Sequence, residues 1–334
     1  MSFEYKKGME VKEVIKCEEG KYGNRFSCGL SRAKENDKNI FINKKGEKVI
    51  DCSQYKRVGD FDENLAYVIN DDDKLGFIDL KGNVVIDCKF GDDWYTAGYN
   101  SFSCGRALVH KDKELCFIDT SGNVVIKNFE KASPFYQDLA PVEINGKKCF
   151  INKAGEIAID CSKYDSVGYF SDGLAGVRIG RKYGFIDKTG KEVLPLDYDI
   201  EEGFGFVDEF EDGLAIVCKN GKYGLIDTNG NEIAECKYKR VGNGVGDVDT
   251  LELDGKKYFI NRKKKELVEC GNINVGSFRE GIALAHNGRG YGHIDIEGNV
   301  VVPFGKYKKA FSFSEGMGLV VNENGWGYVS YLAL

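Results

Sequence analysis

The sequence predicts an all-β protein built from about nine copies of one antiparallel unit of 33 to 40 residues. Three observations predict this fold. A short apolar strand followed by Asp or Asn recurs along the chain, glycine is abundant at 42 residues while proline is scarce at 4, and aromatic residues make up 12%. Such a composition suits short strands joined by tight turns. We expect the copies to stack as an open β superhelix or solenoid, with a closed β-propeller-like ring as the alternative.

The recurring element is an aromatic and aliphatic strand that ends on Asp, Asn or, in the last copy, Ser. It occurs nine times, at Phe41-Ile42-Asn43, Phe77-Ile78-Asp79, Phe117-Ile118-Asp119, Phe150-Ile151-Asn152, Phe185-Ile186-Asp187, Leu225-Ile226-Asp227, Phe259-Ile260-Asn261, His293-Ile294-Asp295 and Tyr328-Val329-Ser330.

A tight turn is predicted directly after each of these strands. Seven copies have glycine three residues after the Asp or Asn, and the copy at Asn261 has Lys264 instead. The Asp or Asn side chain can accept a hydrogen bond from a backbone N–H of the turn, and glycine adopts a positive φ without a Cβ clash. Each turn should therefore close a β-hairpin, whose returning strand is apolar, as in Val84-Val85-Ile86 and Val300-Val301-Val302.

Another strand signal precedes each hairpin. It reads FSDGLAGV at 170–177, FEDGLAIV at 210–217 and FREGIALA at 278–285. We interpret each segment as one strand, so each copy is expected to be a three-stranded antiparallel meander. The expected organisation is an N-terminal strand or cap over residues 1–25, followed by one continuous repeat domain over residues 26–334.

The order of these motifs resembles that of a known family. Gly-Leu-Ala-x-Val, then Gly221-Lys222-Tyr223-Gly224-Leu225-Ile226-Asp227, then Gly-x-x-Ile, is similar to the bacterial WG-repeat family over roughly residues 20–334. The family's Lys-Trp-Gly has a counterpart with Trp only at Trp326, and Tyr183, Tyr223 and Tyr291 occupy this position elsewhere. The resemblance implies a β-repeat protein with an interaction-related function and implies no catalytic residues.

The choice between an open array and a ring depends on the two ends of the array. The last strand, Tyr328-Val329-Ser330, lacks a returning strand, while Val14-Ile15-Lys16-Cys17 matches one, as ring closure would require. Units of 33 to 36 residues are short for propeller blades, however, and nine exceeds the usual four to eight blades. Copy number also varies widely in the resembling family, which favours the open array.

Charge and hydropathy exclude several classes of function. Forty-seven Lys and Arg against 53 Asp and Glu give a net charge of −6, which disfavours a nucleic-acid or membrane-surface partner. No apolar stretch approaches the 18 residues of a membrane span, and the start of the chain lacks the features of a signal peptide. We expect a soluble, cytoplasmic protein.

The eleven cysteines follow the repeat register rather than a metal-binding or disulfide pattern. Six share the position of Cys52, Cys28 and Cys104 share a second position, and Cys116 and Cys149 share a third. Other copies have Leu196 and Phe304 at the first position, so we interpret these thiols as small, half-buried hydrophobes. No Cys-x-x-Cys pair is present, so no metal site is predicted, and many free thiols fit a reducing compartment.

No catalytic or cofactor-binding residue is predicted. His110, His286 and His293 fall in or beside predicted strands, and His293 occupies a position that is usually Phe. Turn formation explains the recurring aspartates, and no pair of carboxyls is distinguished as a glycosidase would require. The glycine-rich segments at 203–205 and 242–246 lack the strand and helix of a phosphate-binding loop.

Two insertions interrupt the register. The connection from the aromatic after the hairpin to the next Phe spans six residues in most copies, but twelve between Phe90 and Phe102 and between Tyr198 and Phe210. Insertions in repeat proteins often carry the binding face, and aromatics are favoured interface anchors. We therefore expect a partner-binding surface, unless these aromatics only fill gaps between units. Its candidate residues are Trp94, Tyr95, Tyr99, Phe204 and Phe206.

Three functions are compatible with this array. A non-enzymatic scaffold for a protein partner, whose identity the sequence does not specify, accounts for the repetition, the acidic balance and the absence of a catalytic motif. A carbohydrate-binding module could use Tyr55, Tyr164, Tyr238 and Tyr307 as stacking platforms, although their register favours a core role. An enzyme would require a site at the centre of a ring.

Overall fold

The fold is all-β wherever the structure describes the chain. A computed structural model describes residues 12–18, 21–91, 100–200, 209–240 and 250–330, and within these ranges it contains 33 strands and no helix. In this part of the chain, therefore, no helix has the length and hydropathy to cross a membrane.

The chain divides into two compact units. Unit 1 comprises Met1–Asn64, Leu80–Asn83 and Arg240–Leu334, and unit 2 comprises Leu65–Asp79 and Val84–Lys239. The repeats are numbered 1 to 9 in chain order.

Six strands belong to the N-terminal part of unit 1. They are β1 (Lys12–Glu18), β2 (Lys21–Ser27), β3 (Leu30–Glu35), β4 (Lys38–Asn43), β5 (Lys48–Asp51) and β6 (Arg57–Asp62). Strands β2 to β5 form a four-stranded antiparallel sheet in sequence order, which is repeat 1.

Unit 2 contains the next seventeen strands. They are β7 (Leu65–Ile69), β8 (Lys74–Asp79), β9 (Val84–Gly91), β10 (Ala107–Lys111), β11 (Glu114–Ile118), β12 (Val124–Ile126), β13 (Lys131–Ala132), β14 (Ala140–Ile144), β15 (Lys147–Ile151), β16 (Ile157–Asp160), β17 (Ser166–Ser171), β18 (Leu174–Ile179), β19 (Lys182–Asp187), β20 (Glu192–Asp199), β21 (Leu214–Lys219), β22 (Lys222–Asp227) and β23 (Glu232–Arg240). Repeat 3 contains β10 to β12, repeat 4 is the sheet β13 to β16, repeat 5 is the sheet β17 to β20, and repeat 6 contains β21 to β23.

The remaining strands complete unit 1. They are β24 (Thr250–Leu253), β25 (Lys256–Asn261), β26 (Glu266–Gly271), β27 (Asn274–Arg279), β28 (Ile282–His286), β29 (Tyr291–Asp295), β30 (Val300–Val302), β31 (Lys309–Ser314), β32 (Met317–Asn322) and β33 (Gly325–Ser330). Repeat 7 contains β24 to β26, repeat 8 is the sheet β27 to β30, and repeat 9 consists of β31 to β33.

The complete repeats are four-stranded, so the predicted three-stranded meander is wrong. The segment at 170–177, interpreted as one strand, is a hairpin: β17 ends at Ser171 and β18 begins at Leu174. Asp172 and Gly173 between them have φ values of 49° and 81°, and two consecutive left-handed residues reverse the chain. An Asp-Gly pair is a strong sequence signal for such a hairpin, and it supplies the additional strand.

The turn after the central strand has the predicted geometry. Asp187 Oδ1 accepts hydrogen bonds from the backbone N–H groups of Thr189 and Lys191, at 2.8 and 3.1 Å, and Gly190 has a φ of 83°. The copies at Asn43, Asp119, Asn152, Asp227 and Asp295 form the same two backbone bonds. Where Lys264 replaces the glycine, the following Lys265 takes the positive φ, at 54°.

Consecutive repeats pack through the same contacts. The Phe of one repeat's third strand meets the Phe that precedes the next repeat's first turn, with ring centroids 4.8 Å apart for Phe117 and Phe135 and for Phe150 and Phe170. The turn glycine rests on the returning strand of the preceding repeat. A Cβ on Gly190 would come within 2.7 Å of Ile159, so this position excludes larger residues.

Within unit 1, repeat 9 contacts repeat 1 in the way that consecutive repeats contact each other. Strand β1 pairs antiparallel with β33 and completes the sheet β1-β33-β32-β31. A Cβ on Gly46 would lie 3.3 Å from Ile15, which is the counterpart of Ile159 in the repeat register. Ser314 Oγ donates a hydrogen bond to the Phe26 carbonyl at 2.6 Å, as Ser103 does to the Phe135 carbonyl in unit 2.

Candidate functional site

The candidate site begins with one backbone position that recurs from repeat to repeat. This position lies two residues before the recurring aromatic of the third strand, and it bonds to the returning strand on its outer side. Asn39, Lys148 and Tyr291 accept hydrogen bonds from the N–H groups of Cys52, Cys161 and Gly305, at 3.0, 3.0 and 2.9 Å. In the other copies the pairs are Leu75 with Phe90, Tyr183 with Tyr198, Tyr223 with Tyr238, Lys257 with Gly271 and Trp326 with Glu18.

Repeat 3 departs from this rule at Leu115. The returning strand β12 pairs with β11 only at Phe117 and Ile118 and ends at Ile126. Asn128, at the position of Cys52 and Cys161, has a φ of 72°, and no backbone bond among the described residues joins it to Leu115. Within the described ranges, the outer edge of β11 at Leu115 is therefore uncovered.

A groove lies beside this open edge, wholly within unit 2. Its volume is about 990 Å³, at the upper end of the range for ligand pockets. The apolar part of its lining comes from β10, β11, the segment after β12 and the strands β13, β14 and β17. It consists of Leu108, Leu115, Phe129, Ala132, Pro141, Val142 and Val167.

Phe129 anchors the segment that follows β12 beside the groove. Its ring packs on Phe117 at a centroid distance of 5.5 Å and at an angle of 55°. Phe129 is the first aromatic residue after the hairpin. The chain continues from it into the two-residue strand β13. The short strands β12 and β13 leave a space that the longer returning strands β9, β20 and β23 fill elsewhere in unit 2.

Several charged groups on the rim are already engaged within the protein. Lys131 Nζ lies 3.1 Å from Glu143 Oε2. Glu130 accepts hydrogen bonds from the backbone N–H groups of Asn145 and Gly146, at 3.0 and 3.5 Å. Two rim lysines, Lys113 and Lys148, have no carboxylate partner among the described residues.

The chemistry of the groove suits binding. Backbone groups, apolar side chains and two ammonium groups can hold a ligand by hydrogen bonds, burial and charge. Over the part of the chain that the structure describes, no group of three or more His, Cys, Asp and Glu residues is arranged to hold a metal ion.

The five aromatics expected to form a partner-binding surface lie outside the described residues. Trp94, Tyr95 and Tyr99 belong to residues 92–99, and Phe204 and Phe206 belong to residues 201–208. Their role in partner binding therefore stays a prediction.

The tyrosines considered as carbohydrate platforms are parts of the core or its margin. Tyr164 and Tyr307 are buried, with 4% and 6% of their surfaces exposed, and Tyr55 and Tyr238 are half-buried. The Tyr164 hydroxyl donates a hydrogen bond to Glu192 at 2.8 Å, and Lys163 Nζ lies 4.8 Å from its ring centroid. Neither Tyr164 nor Tyr307 presents an open ring face on which a sugar could stack.

The cysteines have the environment of small hydrophobes. Burial raises the pKa of Cys52, Cys161 and Cys270 to about 12, so these thiols are un-ionised at neutral pH. An un-ionised thiol is a poor nucleophile and a poor metal ligand. The ten cysteines whose side chains are described are all free of disulfides.

The three histidines do not converge on a site. His110 lines the groove, His286 packs edge-on against Tyr291 at 4.9 Å, and His293 is fully buried in the Phe position of β29. His293 Nε2 lies 2.8 Å from the Phe311 carbonyl oxygen, and burial lowers the pKa of the imidazole to about 4. This histidine is a packed core residue.

Reasoning from the sequence missed the groove, although one residue signalled it. The position nine residues after the turn's Asp or Asn is Cys in five copies and Leu196 or Phe304 in two others, whereas repeat 3 has Asn128. A polar residue at a position that is buried or half-buried in the other copies breaks the register. Asn also tolerates the left-handed conformation that ends the returning strand here.

Solved structures of low sequence identity share the all-β fold of this chain. The crystal structure of a eukaryotic initiation factor aligns with a TM-score of 0.55 and 11% identity, covering 91% of this chain and 91% of that one. The computationally designed Ika8 protein has a TM-score of 0.48 and 12% identity, with 96% and 100% covered. BamB from Moraxella catarrhalis has a TM-score of 0.36 and 11% identity, with 98% and 99% covered. The comparison with curated proteins finds no match.

Comparison with protein families agrees with the repeat register. The family model described as the WG containing repeat matches seven segments. They are residues 41–72, 76–114, 117–147, 150–183, 183–223, 223–243 and 291–326. These segments together span well over half of the sequence and contain the six Asx turns described above. The chain therefore belongs to the WG-repeat family.

Proposed function

We propose that this protein is a non-enzymatic repeat scaffold that binds a protein partner in the groove beside β11. The observation that carries the proposal is the groove itself, which opens where repeat 3 departs from the other copies. Its apolar lining is bordered by charged side chains, as in the hydrophobic core and polar rim of a protein interface. The residues that keep the register are explained by folding, whereas the departure at Asn128 is not.

The proposal includes the setting in which the scaffold acts. The acidic net charge of −6 favours a protein partner over nucleic acid or a membrane surface. Free thiols with a raised pKa fit a reducing compartment, so we place the protein in the cytoplasm.

We further propose that the nine repeats close into a ring rather than forming the open superhelix favoured from the sequence. Three contacts within unit 1 support closure: the pairing of β1 with β33, the contact of Gly46 with Ile15, and the Ser314 bond to Phe26. Each reproduces a contact between consecutive repeats. An open array would have no reason to bring repeat 9 onto repeat 1 in the same register.

Affinity capture from the native cell tests the scaffold proposal. The wild type is compared with the double variant Lys113→Glu/Lys148→Glu, which reverses the two rim charges that lack a carboxylate partner among the described residues. Lys147→Glu/Lys222→Glu is the control, because both lysines are exposed, neither lines the groove, and the change in net charge is equal.

We expect the groove variant to lose a protein that the wild type and the control both retain. Equal retention by all three would contradict binding in the groove. A third variant, Trp94→Ala/Tyr95→Ala, tests the aromatic insertion in the same assay. Loss of the partner at an unchanged melting temperature would assign these aromatics to binding, whereas an equal loss of stability would assign them to gap filling.

A further inference from the structure

We infer that the groove binds its partner as an extended peptide segment, which adds a strand to the open edge of β11 at Leu115. This inference rests on the proposed function and specifies the form of the partner. In the complex, a strand from the partner takes the place of the part of the returning strand that repeat 3 lacks.

The backbone of Leu115 supplies the first argument. In an antiparallel ladder, the N–H and C=O of one residue point to the same side, and they alternate between the two neighbouring strands. At the equivalent position, the Asn39 and Lys148 carbonyls face the returning strand and accept its hydrogen bonds. The Leu115 groups therefore face the groove, where an incoming strand can pair with them.

The lining of the groove supplies the second argument. Alternate side chains of an added strand point to opposite faces. One set would contact Leu115, Phe129 and Val142 on the apolar side of the groove, and the other set would face the charged rim. A segment with aliphatic residues at every second position fits this arrangement.

Charge supplies the third argument and selects among extended segments. Of the three carboxylates on the rim, Glu130 and Glu143 are engaged by Asn145, Gly146 and Lys131. The lining holds three lysines and three glutamates, so its net charge is balanced, but Lys113 and Lys148 have no carboxylate within ion-pair distance among the described residues. We expect the bound segment to carry Asp or Glu between its aliphatic residues.

The first experiment uses synthetic peptides with the full chain. A fluorescein-labelled library of eight-residue peptides, with aliphatic residues alternating with acidic, neutral or basic ones, is titrated by fluorescence anisotropy. We expect the acidic peptides to bind about tenfold more tightly than the basic ones, and Lys148→Glu, but not Lys147→Glu, to reverse this order.

Backbone methylation of the best peptide then tests strand addition. An N-methyl group removes one donor and blocks pairing on that side of the peptide. We expect methylation at one set of alternate residues to weaken binding about tenfold, while methylation at the intervening residues leaves the Kd nearly unchanged. A Leu115→Pro variant removes the groove-facing N–H of the protein and should weaken the same peptide, because proline is tolerated on a sheet edge.

The outcomes separate this inference from the proposed function. A peptide that binds the groove, and loses affinity with Lys148→Glu, but shows no alternation with N-methylation would overturn strand addition and leave the scaffold proposal intact. If no peptide binds, and the partner captured from cells remains bound to the charge-reversed variant, both proposals fail. Should Leu115→Pro not fold, the methylation series alone decides the outcome.

Discussion

Two polar side chains in the core, His293 and Tyr328, make hydrogen bonds that follow the repeat pattern. At the aromatic position of the third strand, only His293 and Tyr328 carry a polar group, and both bond to a carbonyl in the first strand of a neighbouring repeat. His293 Nε2 meets the Phe311 carbonyl at 2.8 Å, and the Tyr328 hydroxyl meets the Asn24 carbonyl at 2.6 Å. Two positions that look like exceptions in the sequence therefore make equivalent contacts.

The buried imidazole of His293 should make stability depend on pH. Burial lowers its pKa from 6.5 to about 4, so the folded protein holds the neutral form while the unfolded chain takes up a proton below pH 6.5. Its contribution is therefore present above pH 6.5 and is lost as the pH falls towards 4. Between pH 7.5 and 4.5 the free energy of unfolding should fall by about 2 kcal/mol from this group.

Urea unfolding of the wild type and His293→Phe at both pH values checks this expectation. The variant removes the bond to Phe311, which should cost about 1 kcal/mol at either pH. Its disadvantage should shrink or reverse at pH 4.5, because phenylalanine does not titrate. An equal difference between the two proteins at both pH values would show that His293 contributes nothing to the pH dependence.

At the scale of elements, β1 is the fourth strand of the last sheet. It lies at the far end of the sequence from β33, yet Ile15 takes the place that Ile50, Ile86, Ile126 and Ile159 occupy in other returning strands. Ile15 packs against the cluster that includes Tyr328 and Leu319, whereas Val14 beside it is 43% exposed.

Substitutions on β1 should separate these two faces. We expect Ile15→Asp to lower the free energy of unfolding by about 2–4 kcal/mol, because it places a carboxylate against the core. Val14→Asp, on the same strand, should change it by less than about 1 kcal/mol. Denaturant midpoints measure both effects, and equal losses would argue against the packing of Ile15.

At the scale of the whole molecule, ring closure makes a prediction about size. A compact body of 334 residues should have a radius of gyration of about 20 Å, whereas an open superhelix of the same length would be more extended. Small-angle X-ray scattering measures this value. A radius well above about 20 Å, with a scattering profile typical of an elongated particle, would contradict the proposed ring.

Much of the fold could be predicted from the sequence because the repeat is local. Asp187 and Gly190 form their turn through bonds that span four residues, so their spacing alone predicted it. The hairpin at Asp172 and Gly173 is equally local, although residues 170–177 are interpreted from the sequence as a single strand. The Asp-Gly pair is itself a hairpin signal that the sequence contains.

The sequence by itself determined the repeat, its register and the membership of the WG-repeat family. The sequence also indicated that the cysteines and the turn aspartates have structural roles, because each recurs at a constant position in the repeat. Only the tertiary structure decided that β1 pairs with β33 and that the edge of β11 is open at Leu115. Both depend on which backbone groups meet across distant parts of the chain, and a hydrogen bond that is missing leaves only an indirect trace, such as Asn128, in the sequence.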